Sequence, residues 1–209
     1  MESNCPFCDY KQFQERLIAE SKNYYLIATL GQITDGGYVL IFPKEHISCF
    51  GNLLCVPDND TEFIHKAVRA VWKEYQKDDS EPYPITTFEH GIVGQTIKHA
   101  HIHILPTVVD LTPKIRTDFP KCEFEEQTYP GQLQNHYLEK QEPYLNWTVG
   151  DRIAMLCWNP PAPSQYLRIL TAELLGRPER ANWRTMDPEL DKKLWTETVQ
   201  RLKPYFKRS

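Results

Sequence analysis

The stretch His99-Ala100-His101-Ile102-His103-Ile104-Leu105-Pro106 places three histidines in strict alternation with apolar residues. Because successive side chains of a β-strand point to opposite faces, a strand here would put the three histidines on one face and the residues between them toward the core. The whole chain has seven histidines, so three at this spacing indicate a strand with a chemical task.

Three interpretations of this strand are open. The histidines could form an exposed polar face, although ordinary strand faces favour other polar residues. They could bind a metal ion, for which imidazole is a common ligand. They could also include a nucleophile, since neutral imidazole attacks phosphorus without first losing a proton.

The segment just before the histidines favours the nucleophile. Gly91, Gly94 and Thr96 supply two glycines and a hydroxyl. Glycine lets backbone N–H groups come close to a phosphate, and an ordinary turn is the alternative explanation for these glycines.

The pattern around this segment predicts an α+β fold with an antiparallel sheet and one long helix. The apolar residues between Asp60 and Lys77 recur at three- and four-residue steps, which is typical of an amphipathic helix. Short β-rich runs separated by turn residues flank that helix. The expected strands are residues 24–30, 38–43, 85–89 and 100–105.

The second half of the chain shows less order. Residues 108–163 are rich in proline, aromatic and charged residues with little periodicity, which predicts an irregular segment. Two helices are expected after it, over residues 165–175 and beyond Asp187-Pro188. We therefore expect a catalytic domain over 1–110 and a helical C-terminal extension over 111–209.

Composition excludes several classes of protein. The net charge of -4 offers no electrostatic footprint for long nucleic acid or an anionic membrane. No stretch approaches the roughly 20 apolar residues of a membrane span, and the start has no leader-like pattern, so we expect a cytoplasmic protein. Six cysteines in a reducing compartment favour metal ligation over disulfides.

Cys5-Pro6-Phe7-Cys8 has two interpretations. A redox dithiol would need a thioredoxin-like βαβ context, which the expected antiparallel order does not supply. A zinc site is the second interpretation, and a structural zinc ion needs four ligands.

These motifs together resemble the histidine triad (HIT) superfamily of nucleotide hydrolases and nucleotidyl transferases. The resemblance rests on the alternating histidines followed by proline, on Gly94-Gln95-Thr96, on the Val39–His46 strand and corner, and on the Cys-x-x-Cys pair. Phe88-Glu89-His90 also resembles the Phe-Glu-Asn of the galactose-1-phosphate uridylyltransferase branch.

The resemblance implies a role for each matching position. His101 would be the nucleophile that forms a nucleotidyl-histidine intermediate, and His103 would contact the phosphate oxygens or the leaving group. The expected nucleotide-binding residues are His90, Gly94, Gln95 and Thr96. The expected ligands of a structural zinc ion are Cys5, Cys8, His46 and His99.

We therefore expect a hydrolase of nucleotide phosphoanhydrides or phosphoramidates that requires no magnesium and acts on small nucleotides. Transfer of the nucleotidyl group to a phosphate or sugar phosphate, or nucleotide binding without turnover, are the alternatives. The family often dimerises, so a homodimer remains open.

Two departures from the family pattern concern the nucleoside: Tyr38 stands where many members have histidine, and the usual aspartate near Leu30 is missing. Arg168 could reach the leaving phosphates, or it could be a solvated helix residue.

Overall fold

The computed structural model describes residues 5–53, 58–77, 83–129, 131–149 and 153–207. These residues form an α+β fold of the HIT-like type, as predicted, built on one antiparallel sheet of eight strands in the order β1-β2-β3-β5-β4-β7-β8-β6. The strands are β1 Leu17–Glu20, β2 Tyr24–Ala28, β3 Val39–Pro43, β4 Thr86–Gly91, β5 Ile102–Leu105, β6 Glu123–Gln127, β7 Tyr144–Val149 and β8 Ile153–Trp158. The helices are α1 Asp58–Gln76, α2 Thr112–Asp118, α3 Gln132–Lys140, α4 Tyr166–Leu174 and α5 Pro188–Leu202.

Both faces of the sheet are covered by apolar residues. On one face, residues such as Leu26, Ile41 and Ile104 pack with α1, α3 and α5. On the other face, Phe88 and Trp147 pack with α2 and α4, and the N-terminal segment adds Phe7 and Phe13 next to Leu40 and Phe42. The histidines predicted for the site lie on this second face, beneath the N-terminal segment and the start of α4.

The prediction of an irregular segment over residues 108–163 is wrong. That stretch contains α2, β6, α3, β7 and β8, and β7 pairs directly with β4. Strand β8 carries a long buried run, Met155 to Trp158, because both faces of the sheet are covered. A strand that is buried on both faces lacks the period of two by which sequence patterns reveal strands.

The sheet therefore crosses residue 110, and strands from both sides of that position pair within it. The division into a catalytic domain over 1–110 and an extension over 111–209 stays a prediction. The two C-terminal helices are present as α4 and α5. Among the described residues, no helix is both long enough and apolar enough to cross a bilayer.

The histidine strand is shorter than predicted, and its histidine face is not the exposed polar face that one of the three interpretations described. Regular strand geometry covers only Ile102–Leu105, so His99 and His101 precede the strand. The alternation itself is present, since Ala100 and Ile104 lie in the core on the other face. The histidine face is also buried, with His101 7% and His103 6% exposed, because the N-terminal segment and α4 cover it.

Candidate active site

The structure brings six of the predicted residues to one cavity. The cavity has a volume of about 310 Å³. The six predicted residues in its lining are His90, Gly94, Gln95, Thr96, His101 and His103. Other residues of the lining are Phe7, Arg16, Arg168 and Trp183. The predicted catalytic and nucleotide-binding residues therefore line one cavity, and their individual roles stay predictions.

Only one ring nitrogen of His101 has a hydrogen-bond partner among the described residues. Its Nδ1 lies 2.7 Å from the backbone oxygen of His99. A carbonyl oxygen can only accept, so Nδ1 carries the hydrogen and the neutral ring keeps an unprotonated Nε2. The ring is held edge-on against Phe7, with 5.3 Å between the ring centroids. This arrangement gives the ring a defined tautomer and a fixed orientation beside the cavity.

His103 is enclosed by aromatic rings and a hydroxyl. Its Nδ1 lies 2.6 Å from the hydroxyl of Tyr38. Its ring stacks on Phe88 with 4.3 Å between the centroids, and it lies 5.0 Å from the ring of His101. Two imidazoles therefore stand side by side at the cavity, each fixed through its Nδ1.

The glycine loop is tied to the start of α4. His90 Nε2 accepts the backbone N–H of Leu167 at 3.1 Å, so a donor from His90 toward a ligand would have to be Nδ1. The oxygen of Gly94 accepts the N–H of Gln165 at 2.8 Å. Gln95 donates from its amide to the backbone oxygens of His90 and Ser48, at 2.8 and 2.7 Å, and so holds the loop in shape.

Gly94 occupies a position that strongly favours glycine. Its φ is +78°, in the left-handed region, and an added Cβ would lie 2.8 Å from Cδ2 of His90 and 3.1 Å from the backbone oxygen of Pro163. The absence of a side chain lets the loop backbone pack against the site.

Burial keeps the imidazoles neutral at neutral pH. Desolvation lowers the pKa of His101 to about 4, although its bond to His99 opposes the shift. Desolvation also lowers the pKa of His90 to about 3, with a smaller effect from His101 and Arg168, and it holds the pKa of His103 well below its usual value. A neutral ring is the form in which His101 Nε2 can act as a nucleophile.

The cavity is also positively charged. Arg168 is 3% exposed and donates to the backbone oxygens of Ala181 and Gly31. Arg16 donates to the backbone oxygen of Ala28 at 2.9 Å, and burial lowers its pKa to about 10, which leaves it protonated at neutral pH. Within the described part of the chain neither guanidinium lies at salt-bridge distance from a carboxylate, although the charge of Asp191 favours the protonated form of Arg16. Arg168 in particular therefore favours an anionic ligand.

Cys5, Cys8, His46 and His99 come together, and their ligand atoms all lie within 4.8 Å of one another. His46 Nδ1 is 3.2 Å from Cys8 Sγ, and His99 Nδ1 is 3.5 Å from Cys5 Sγ. Such separations suit two thiolates and two imidazoles around one tetrahedral ion. His99 Nε2 donates to the backbone oxygen of Pro43 at 2.8 Å, which leaves Nδ1 as the ligand atom. The donor set and its geometry therefore fit a zinc ion.

Sequence reasoning missed several residues of the site. Arg16 and Trp183 reach the cavity from segments without a recognisable motif, and Phe7 reaches it from within the Cys-x-x-Cys pair, whose pattern points only to the two thiols. The sequence marks Tyr38 only as a departure from the family pattern and does not indicate its contact with His103. For Arg168 the sequence leaves two positions open, near the leaving phosphates or in solvent, and the structure places it in the cavity wall and not in solvent.

Comparison with known proteins agrees with this geometry. Residues 11–109 match the family model of the HIT domain. The matched region contains the histidine strand, the glycine loop, Tyr38 and His46. Cys5, Cys8 and Arg168 lie outside it.

Three solved structures are similar to the chain. A HIT family hydrolase from Clostridium thermocellum is 29% identical, with 55% of this chain and 99% of that chain covered and a TM-score of 0.40. A Hit-like protein from Bartonella henselae is 22% identical, with coverage of 43% and 66% and a TM-score of 0.34, so this chain spans just under two thirds of its length. A yeast Ap4A phosphorylase in complex with Ap4A is 11% identical, with coverage of 95% and 78% and a TM-score of 0.41.

Proposed function

We propose that this chain, whose residues 11–109 match the HIT domain, hydrolyses the phosphoanhydride or phosphoramidate bond of a small nucleotide through a nucleotidyl-histidine intermediate on His101. One observation carries the proposal. The Nδ1 of His101 donates to the backbone oxygen of His99, which leaves an unprotonated Nε2 at a cavity that also holds two arginines.

The proposed reaction has two steps. The lone pair of His101 Nε2 forms a bond to the α-phosphorus, and the bond to the leaving group breaks with its electron pair moving to the leaving oxygen or nitrogen. The leaving group of an anhydride departs as a phosphate anion and needs no proton, whereas an amine leaving group takes a proton from a donor or from water. Water then attacks the phosphorus and gives one of its protons to the solvent, the pair of the N–P bond returns to Nε2, and the nucleoside monophosphate departs.

Stabilisation of the negative charge that develops on the phosphate oxygens is usually the largest contribution to the rate of such a reaction. The guanidinium of Arg168, and N–H and hydroxyl donors from Gly94 to Thr96, would oppose the charge that develops on the non-bridging oxygens. Because these donors are held in place before the substrate binds, the step as proposed requires no magnesium ion.

Zinc is proposed as a structural ion held by Cys5, Cys8, His46 and His99, and when bound it would supply a cross-link with no part in the reaction. The cluster joins the N-terminal segment to the chain just before His101. That segment includes Phe7, whose ring contacts both His99 and His101. A fixed N-terminal segment would therefore hold the nucleophile in position.

The test is to trap the intermediate. The full chain is mixed with nucleoside phosphoramidates and dinucleoside polyphosphates, quenched, and analysed by peptide mass spectrometry for a nucleotidyl group on His101. His101→Gly should lower turnover by about 10³-fold or more. His65→Gln is the matched control, since His65 is exposed on α1.

The outcomes separate the competing functions. Release of nucleoside monophosphate supports hydrolysis, while formation of a new nucleotide when phosphate or a sugar phosphate is added would indicate transfer. Tight binding without turnover of any substrate would indicate a binding module. Full activity in His101→Gly would contradict the proposal.

A further inference from the structure

We propose that Tyr38 and Arg168 are positioning residues that fix the tautomer of His103, so that its Nε2 carries the hydrogen and serves as a hydrogen-bond donor at the cavity. The identification of the acceptor as a substrate phosphate rests on the proposed function. The tautomer of His103 does not depend on that function.

The three side chains form a chain of contacts. Tyr38 OH lies 2.6 Å from His103 Nδ1, and Arg168 Nη1 lies 3.4 Å from the same hydroxyl. Tyr38 is 0% exposed, so bulk water does not compete for hydrogen bonds with its hydroxyl.

The direction of each hydrogen bond follows from what the groups can do. Arginine has only donors, so the Tyr38 oxygen accepts from Arg168. The phenolic hydrogen then needs an acceptor. Within the described part of the chain, His103 Nδ1 is the acceptor within reach of that hydroxyl. Nδ1 therefore accepts, and a neutral His103 carries its hydrogen on Nε2.

The opposite tautomer leaves a buried group without a partner. If Nδ1 carried the hydrogen and donated to Tyr38, the phenolic hydrogen would have no acceptor among the described residues. An unsatisfied buried donor costs enough free energy to shift such an equilibrium by about tenfold or more. Burial also raises the pKa of Tyr38 to about 12, although Arg168 opposes the shift, so the hydroxyl keeps its hydrogen at neutral pH.

The same argument gives His101 the opposite tautomer. The backbone oxygen that faces its Nδ1 can only accept, while the hydroxyl that faces Nδ1 of His103 donates. Two neighbouring rings, 5.0 Å apart, therefore present different groups at Nε2. His101 offers a lone pair and His103 offers an N–H, which is the combination that an electrophilic phosphate with anionic oxygens requires.

Arg168 comes from α4, beyond the residues that match the HIT domain. Its Nε donates to the backbone oxygen of Ala181 at 2.7 Å and its Nη2 to that of Arg180 at 3.1 Å. These bonds hold the guanidinium in place, and its position fixes the Tyr38 hydroxyl. The C-terminal part of the chain would thus set the state of a histidine in the matched domain.

The direct test is nitrogen-15 NMR of the full chain with labelled histidine, in which His103 is assigned by the signals lost in His103→Gln. We expect Nδ1 of His103 to be unprotonated and Nε2 to be protonated, and the reverse for His101. A protonated Nδ1 on neutral His103 would overturn the proposal. This measurement needs no substrate, so it is decided even if the proposed reaction is not observed.

Variants test the positioning. Tyr38→Phe keeps the ring and removes the hydroxyl, so the Nδ1 signal of His103 should move toward its value without a hydrogen bond. With any substrate that is turned over, kcat should fall about tenfold with KM changed by less than about threefold. Arg168→Lys should move the same NMR signal in the same direction, by a smaller amount.

Tyr144→Phe is the matched control, because Tyr144 is also fully buried and its hydroxyl also has two partners, on the other face of the sheet. It should leave the His103 signal in place. If Tyr38→Phe fails to move that signal, or lowers kcat no more than Tyr144→Phe does, the positioning role is wrong.

Discussion

Glu89 offers a stability prediction that is independent of the chemistry. Its carboxylate is 1% exposed and lies beneath the loop that follows β3. Oε1 accepts the backbone N–H of Phe50 at 2.7 Å, and Oε2 accepts the hydroxyl of Tyr144 at 2.8 Å. Desolvation raises its pKa from 4.5 to about 7, because these two hydrogen bonds only partly compensate for burial.

The sign of the effect follows from proton linkage. Below pH 4.5 the carboxyl is protonated in both the folded and the unfolded state, and folding loses nothing. As the pH rises, the unfolded chain ionises first, so the folded state binds more protons and stability falls until the pH passes about 7. The full shift corresponds to about 3 kcal/mol, of which about 1 kcal/mol is already lost at pH 5.

Glu89→Gln removes this titration while keeping an oxygen that can accept from Phe50. The stability of the variant relative to the natural chain should therefore rise by roughly 2 to 3 kcal/mol between pH 5 and pH 8. Urea unfolding at each pH, with the zinc concentration held constant, gives the two free energies of unfolding. Titrating groups that both proteins share cancel in the difference.

Glu142→Gln is the control, since Glu142 is an exposed glutamate between α3 and β7. Its stability relative to the natural chain should change by no more than about 0.5 kcal/mol over the same pH range. If Glu89→Gln behaves like Glu142→Gln, or if its relative stability falls with rising pH, the raised pKa of Glu89 is wrong.

Three other predictions concern the loop, the metal cluster and the sheet. Gly94→Ala should lower the free energy of unfolding by about 1–3 kcal/mol and reduce kcat/KM, because the backbone is left-handed at this position and the added Cβ would meet His90. Urea unfolding measures the first effect and steady-state kinetics the second. Cys8→Ser or zinc chelation should lower the melting temperature and release one zinc ion per chain, measured by calorimetry and metal analysis, whereas unchanged melting would argue against a structural ion. A fragment of residues 1–110 should fail to fold cooperatively by circular dichroism, because β4 loses its pairing with β7, and a cooperative transition would support the predicted domain boundary.

The parts of the site that sequence could predict are those written as short local patterns. Alternating histidines, the glycines before them and the Cys-x-x-Cys pair each lie within a few residues of one another. Each pattern also carries its own chemical reason, but the full set of cavity residues and of metal ligands, His46 included, could be proposed only through the resemblance to the HIT superfamily. The α+β class followed from strands and one helix with clear periods.

The remaining features depend on distance in sequence or on burial of both sheet faces. Tyr38 and Arg168 are 130 residues apart, and nothing near either residue indicates the other. Strand β8 is hard to recognise from sequence because neighbouring residues such as Leu156 and Cys157 are both buried, which removes the alternation that marks a half-exposed strand. Local patterns cannot encode such contacts, because packing of the whole sheet creates them.

Burial of the histidine pair connects these observations. On an exposed strand, water could satisfy either ring nitrogen, and both tautomers of His101 and His103 would be populated. Once the N-terminal segment and α4 cover the strand, each Nδ1 must bond to the protein group that faces it, a carbonyl oxygen for His101 and a hydroxyl for His103. The same cover lowers the pKa of both rings by desolvation. We infer that the segments outside the HIT-matched region act on the chemistry chiefly by removing water, since this forces two like side chains into different protonation patterns.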